Sequence, residues 1–163
     1  MKPAITFILT GGTIDKEYDA LDKAFTIGQG AVSRVLAIIN PNFEVMLVPL
    51  LQKVSTNITT EDKELIKKTC VETSADKILL TYGTDTMSEI GEVLQDIQGK
   101  TIVITGALKS QLIKDTDAEF NLGFAVAAVQ TMSPGVYVAM NGRIYPWNMC
   151  KKDVTTGQFT DIE

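Results

Sequence analysis

Short apolar runs that end in glycine are the first constraint on how this chain can fold. Ala4–Leu9, "AITFIL", is almost wholly apolar and stops at Thr10-Gly11-Gly12. Lys77–Thr81 stops at Tyr82-Gly83, and Thr101–Thr105, "TIVIT", stops at Gly106. A run without polar alternation suits a strand covered on both faces, as in a parallel sheet. Helical patterns lie between these runs. Ala31–Ile39 places Val32, Val35, Leu36 and Ile39 on one face, and Asn40-Pro41-Asn42 ends it. Thr59 is set to cap a helix through about Glu72, with Glu61 and Asp62 favourable in its first turn. Thr86–Gln98 turns Met87, Ile90, Val93, Leu94 and Ile97 inward, and Asp117–Met132 is rich in alanine and valine. Phe43–Leu50 and Gly135–Met140 add strands, and Asn141-Gly142 signals a hairpin into Arg143–Tyr145. Residues 15–30 and 106–116 are polar and irregular and are expected to be loops, while Trp147–Glu163 is short and strand-like. Strands alternating with helices predict an α/β fold: three layers, with a mostly parallel sheet flanked by helices. The 163 residues suffice for a single domain over 1–163.

Composition removes whole classes of chemistry. There is no histidine, which excludes Ser-His triads, imidazole acid–base catalysis and His-based metal sites together. Proton transfer is left to Asp, Glu, Lys, Tyr, Cys or water. The formal net charge of −5 argues against a nucleic-acid partner. The two cysteines, Cys70 and Cys150, are too few for a disulfide scaffold or a Cys-only zinc site and read as buried thiols in a reduced compartment. The start "MKPAITFILTGG" lacks the apolar region and cleavage site of a signal peptide, and no apolar run reaches the roughly 18 residues of a membrane span. A cytoplasmic location is expected. No metal and no cofactor is expected either. Gly28-x-Gly30 lacks the third glycine of a dinucleotide fingerprint, and the GxxxxGK[ST] phosphate loop is absent.

In an open α/β sheet, ligands sit beyond the carboxyl ends of the strands. That rule points to the loops starting at Thr10, Ser55, Tyr82, Gly106 and Asn141. In "LTGGTID", Gly11 and Gly12 let the backbone approach a ligand and Thr13 projects from the strand end; a plain Gly-Gly turn reads equally well. In "LLTYGTDTMSEIGEVL", Thr86 and Glu89 fit a capping box. Thr84 and Asp85 then stand just before a helix, either as part of its cap or as chemistry. A threonine hydroxyl acts as a nucleophile only if something takes its proton. Without histidine, a lysine kept neutral by burial is the natural base. Lys151 and Lys152 in "CKKDVTT" are candidates, though two solvated surface charges fit the same residues.

"TGGTI", "YGTDTM" and "TGA" occur in that order, followed by "DTDAEFNL". The set resembles the amino-terminal domain of bacterial-type L-asparaginases, the family of TGGTIA and HGTDTM signatures, over nearly the whole chain. The resemblance implies an amidohydrolase in which a threonine of the first turn attacks a side-chain amide, assisted by a Thr-Lys-Asp set. Carried over, the nucleophile is Thr13, and the assisting set is Thr84, Asp85 and Lys152. Substrate contacts fall on Gly12, Ser55, Gly83 and Ala107, with Ser55 on the substrate carboxylate. Asp117 and Asn121 match a helix start as structural caps.

Three departures follow. The family's His before GTDTM is Tyr82 here. The lid tyrosine that orients the nucleophile aligns with Phe25, which has no hydroxyl, leaving Tyr18 or Tyr82 as substitutes. The family's carboxy-terminal domain, which lends an acidic group to a neighbouring site, is expected to be absent. The expected partners are a small amide or amino-acid ligand and further copies of the chain, as a homodimer or higher homo-oligomer that covers the cleft. The alternative is a catalytically degenerate domain that binds an amino acid.

Overall fold

A computed structural model describes residues 2–162. β1 (Ala4–Gly11), β5 (Lys77–Thr81), β6 (Thr101–Thr105) and β7 (Gly135–Met140) form the middle of a sheet, with β4 (Glu44–Lys53) at one edge and β8 (Arg143–Pro146) at the other. The order is β4-β1-β5-β6-β7-β8; all neighbours are parallel except β7 and β8, which form the hairpin turned by Asn141-Gly142. Helices α1 (Ala31–Ile39) and α4 (Ala118–Thr131) cover one face, and α2 (Thr60–Glu72) and α3 (Met87–Leu94) the other.

The apolar runs explain this sandwich. Ile5, Phe7, Leu9, Leu79 and Val103 point to α1 and α4, meeting Val32, Val35, Leu122 and Val129. Ile8, Ile78, Leu80, Ile102 and Ile104 point the other way, meeting Ile66, Ile90 and Leu94. Side chains of a strand alternate between faces, so both faces need apolar cover and the sequence shows no alternation. All of these strand residues are buried. At roughly 1.5–3 kcal/mol each, such burial outweighs local propensity.

Several boundaries follow the sequence closely. α1, β5 and β6 match residue for residue. α2 begins with a true capping box: the Thr59 hydroxyl accepts the Asp62 N–H at 3.2 Å, and Asp62 accepts the Thr59 N–H at 2.9 Å. Other expectations need correction. The second strand runs from Glu44 to Lys53 instead of Phe43–Leu50. α3 stops at Leu94 instead of Gln98, because the Ile97 N–H folds back onto the Leu94 carbonyl at 3.1 Å. Residues 15–30 are not a plain loop. They hold an antiparallel hairpin, β2 (Lys16–Asp19) with β3 (Ala24–Ile27), standing outside the main sheet. The tail supplies β9 (Cys150–Lys152) and β10 (Phe159–Asp161), a second two-stranded ribbon. Among the described residues, no helix is long and apolar enough to cross a membrane.

Candidate active site

Side-chain hydroxyls tie the carboxyl ends of the central strands together. The Thr10 hydroxyl donates to the Thr81 carbonyl at 2.7 Å, and Thr105 donates to Ala139 at 2.8 Å. The backbone N–H of Gly12 reaches the Lys53 carbonyl and that of Tyr82 reaches Thr105, both at 2.9 Å. The loops after β1, β4, β5 and β6 are thereby set side by side.

They touch without side chains between them. A Cβ on Gly12 would lie 2.8 Å from the Cα and N of Gly83; a Cβ on Gly83 would lie 2.6 Å from the Cβ of Ser55. Gly12 also has φ 84°, in the region that glycine alone adopts readily. A Cβ on Gly106 would collide with the Tyr82 carbonyl and lie 3.6 Å from Thr84 Cγ2, so the β6 loop with buried Ala107 abuts the same place.

The second cluster is polar. The Lys152 Nζ donates to Thr84 Oγ1 and to Asp85 Oδ1, each at 2.8 Å. Thr84 is buried, the Lys152 side chain is mostly covered, and the Asp85 side chain is largely exposed. An amine is thus held against a buried hydroxyl, with a solvated carboxylate fixing its other side. Such a set can pass a proton between Thr84 and the amine.

The ten residues singled out from the sequence fall as follows. Thr84, Asp85 and Lys152 meet directly. Gly12 meets Gly83 and Gly83 meets Ser55, while Ala107, next to Gly106, is buried in the core cluster under α1 and α4. Thr13 is half-buried in the 3-10 turn after Gly12, and among the described residues its hydroxyl makes no hydrogen bond. It opens onto a recess of about 290 Å³ shared with Lys16, Phe25, Lys109 and Ser110. Lys152 and Asp85 open onto a different hollow, with Ser88 and Trp147. Tyr18 and Phe25 face each other across the β2–β3 hairpin, ring centroids 5.6 Å apart, and both are exposed. Of the two tyrosines expected to stand in for the missing lid hydroxyl, Tyr82 does not. It is wholly buried, with its hydroxyl 3.5 Å from Thr86 and held as a neutral phenol by burial.

Two capping expectations are corrected. Thr86 does not cap α3: its hydroxyl turns to the Ser55 carbonyl at 3.4 Å, and Glu89 pairs with Lys63 at 2.8 Å. Asp117 does not cap α4 with its side chain. Its carboxylate accepts the N–H groups of Leu108 and Lys109, at 2.9 and 3.0 Å, while Asn121 donates to the Gly106 carbonyl at 2.9 Å. Both residues brace the β6 loop. Both thiols are buried, as expected from the sequence: burial pushes Cys70 up to about 12 and Cys150 up to about 11, so neither is a ready nucleophile.

One residue at the site escaped the sequence reading. Asp15, two positions after Thr13, is buried; its Oδ1 accepts the Ala31 N–H at 3.0 Å and its Oδ2 has no partner. Its backbone carbonyl accepts the Gly28 N–H at 2.8 Å, closing the root of the hairpin. The available signal was an acidic residue directly behind a strand-end glycine turn. Burial is the main cause that raises its carboxyl to about 6; Arg34 opposes this and Glu17 adds to it. The unfolded chain ionises near 3.8, so Asp15 favours folding below that value, and the contribution is lost as pH rises to about 6. Asp15→Asn keeps the acceptor for Ala31 and removes the charge. Urea denaturation should therefore show the variant gaining on the wild type by about 1–3 kcal/mol between pH 4 and 7. A difference that stays flat over that range would show that Asp15 is not held neutral.

The comparisons with known proteins agree with this architecture. The family described as "Asparaginase, N-terminal" matches residues 4–160. L-asparaginase 2 of Escherichia coli is 30% identical over 174 residues, covering 98% of this chain and 48% of that protein. A glutamyl-tRNA(Gln) amidotransferase subunit from Methanococcus vannielii is 32% identical over 148 residues, covering 86% of this chain and 34% of that one. The thermostable L-asparaginase from Thermococcus kodakarensis superposes with a TM-score of 0.84 at 24% identity, over 98% of this chain and 51% of that one, and so shares the fold. The chain spans about half or less of the length of these relatives. With the family model covering nearly all of its length, the chain belongs to the asparaginase family, matching its amino-terminal part.

Proposed function

We propose that this chain is an amidohydrolase that converts L-asparagine, or a related small amide, to the acid and ammonia with Thr13 as nucleophile. One observation carries the reading. The Lys152 amine lies 2.8 Å from both Thr84 Oγ1 and Asp85 Oδ1, and an amine against a buried hydroxyl in a chain without histidine supports its use as the base. In this scheme Thr13 Oγ bonds to the amide carbon, and the proton it loses passes to the amide nitrogen, whose bond to that carbon breaks to release ammonia. Water then adds to the ester carbon, giving one proton to the Thr84–Lys152 pair; that proton passes on to Thr13 Oγ as the ester C–O bond breaks, which frees the acid and restores Thr13. Backbone N–H groups of the glycine-lined loops are the natural donors for the oxyanion.

Ammonia release from L-asparagine is the test. Thr13→Ala and Thr84→Val should each remove it, the first completely. Unchanged release by Thr13→Ala would end the assignment of the nucleophile.

A second reading is favoured by the hairpin and the recess. Phe25 brings no hydroxyl to Thr13, and no acidic side chain lines the recess that the two share. A domain that binds an amino acid without hydrolysing it fits these features. Calorimetry would then show saturable binding of aspartate and asparagine with no ammonia formed. A related protein is one subunit of an amidotransferase, so a further chain completing the site is consistent with either reading.

A further inference from the structure

We propose that Asn141 and Tyr145 are positioning residues that hold Lys152 in place through the backbone of Phe159. The inference rests on the reading above, in which Lys152 serves the reaction.

Lys152 is delivered by a weak element. β9 and β10 pair over only three positions, Phe159 with Lys152, Thr160 with Lys151 and Asp161 with Cys150, and they lie outside the main sheet. A ribbon of this size has little stability of its own. Lysine also has four rotatable bonds, so its amine is fixed only if its backbone is fixed first.

The anchoring falls on the residue facing Lys152. The Phe159 N–H donates to Asn141 Oδ1 at 2.8 Å, and the Phe159 carbonyl accepts the Tyr145 hydroxyl at 3.0 Å. Both backbone polar groups of one residue are thus held by side chains of the β7–β8 hairpin. In an antiparallel ladder, groups turned away from the partner strand mark a non-hydrogen-bonded pair, where the two Cα atoms approach most closely. A shift of Phe159 therefore passes directly to Lys152.

Both side chains suit the task beyond their local roles. Asn141 has φ 52°, so the hairpin turn accounts for its backbone, but glycine or aspartate would turn as well; the carboxamide oxygen is what meets Phe159. Tyr145 is 2% exposed and Phe159 is 4% exposed, so this bond lies in the core. Burial keeps the Tyr145 phenol protonated and able to donate. The Arg143–Asp161 pair at the far end of β10 is exposed, and screening limits what it adds.

The test separates positioning from mere stability. Asn141→Gly removes the acceptor and keeps the turn. Asn141→Asp retains both. Tyr145→Phe keeps the ring and removes only the donor. Acetylation by an N-hydroxysuccinimide ester, followed lysine by lysine with mass spectrometry, reads the result with or without turnover. In Asn141→Gly and Tyr145→Phe, Lys152 should react several-fold faster, approaching the rate of exposed Lys151. In Asn141→Asp it should return to the wild-type rate. Lys100, whose amine donates to the Thr73 and Ala75 carbonyls at the other end of the sheet, should not change. With asparagine as substrate, kcat should fall about tenfold with KM little altered, as expected for a misplaced catalytic group. Unchanged labelling of Lys152 in both Asn141→Gly and Tyr145→Phe would overturn the inference, and so would an equal rise at Lys100. Full activity in Lys152→Ala would instead overturn the catalytic reading and leave the labelling result standing.

Discussion

Lys152→Met should lower asparagine turnover by about 10²–10⁴-fold, the range for loss of a general base, while lowering stability by only about 1–3 kcal/mol, the cost of leaving one buried hydroxyl unpaired. The asymmetry comes from burial. Asp85 is largely exposed, so water re-solvates its charge when the amine is removed, and a pair of this kind contributes only about 0–1 kcal/mol. Thr84 is buried and has no comparable replacement for the amine at 2.8 Å. Lys152→Arg sharpens the test. A guanidinium can still pair with Asp85, but it stays protonated at any working pH and accepts nothing from a hydroxyl. If Lys152 is a base, Arg is as inactive as Met. If it only supplies positive charge, Arg restores most of the rate. Ammonia release and urea midpoints on the three proteins decide between these outcomes.

The second large effect is structural. Gly12→Ala should destabilise the protein by about 2–5 kcal/mol, adding the cost of a non-glycine residue at this backbone conformation to that of an overpacked contact. The contact is backbone on backbone: the new methyl meets Gly83 Cα and N at 2.8 Å, and no rotamer relieves it. Moving the loops apart would shift Thr13 on one side and Thr84 on the other. Activity should therefore fall further than stability, with turnover lost even in the cold, where the variant is folded. Thermal melting followed by CD, together with single-turnover assays well below the midpoint, measures both. A variant with a normal midpoint would mean that the two loops are not held as tightly as the geometry states.

Much of the fold was legible because burial dictated it. Lys77–Thr81 and Thr101–Thr105 read as strands since both of their faces are covered, and the unbroken apolar centres Ile78–Leu80 and Ile102–Ile104 admit few other uses. The β2–β3 hairpin was not legible. Its residues are polar or exposed, and its root depends on Asp15, Gly28 and Ser110, none of which signals a strand. Thr86 shows how a local pattern loses to a distant partner: its spacing to Glu89 fits a cap, yet Ser55 and Lys63 draw the two side chains elsewhere. Asp117 behaves likewise, giving its carboxylate to Leu108 and Lys109. The polar cluster joins Thr84 to a lysine 68 positions away, a pairing that no periodicity encodes. Its members were named by resemblance, and the hydrogen bonds place them together.

The stack of Gly12, Gly83 and Ser55 has a consequence for reading divergent members of the family. A side chain on Gly12 would meet the Gly83 backbone, and one on Gly83 would meet Ser55, so neither glycine can drift to a larger residue before its neighbour withdraws. A lineage that abandoned amide hydrolysis would be free to exchange Thr13 or Lys152 for anything soluble, yet it would go on carrying both glycines because the loops still have to pass. The glycines therefore testify to ancestry, while the hydroxyls and the amine testify to present use, and a relative should be judged active on the second group alone.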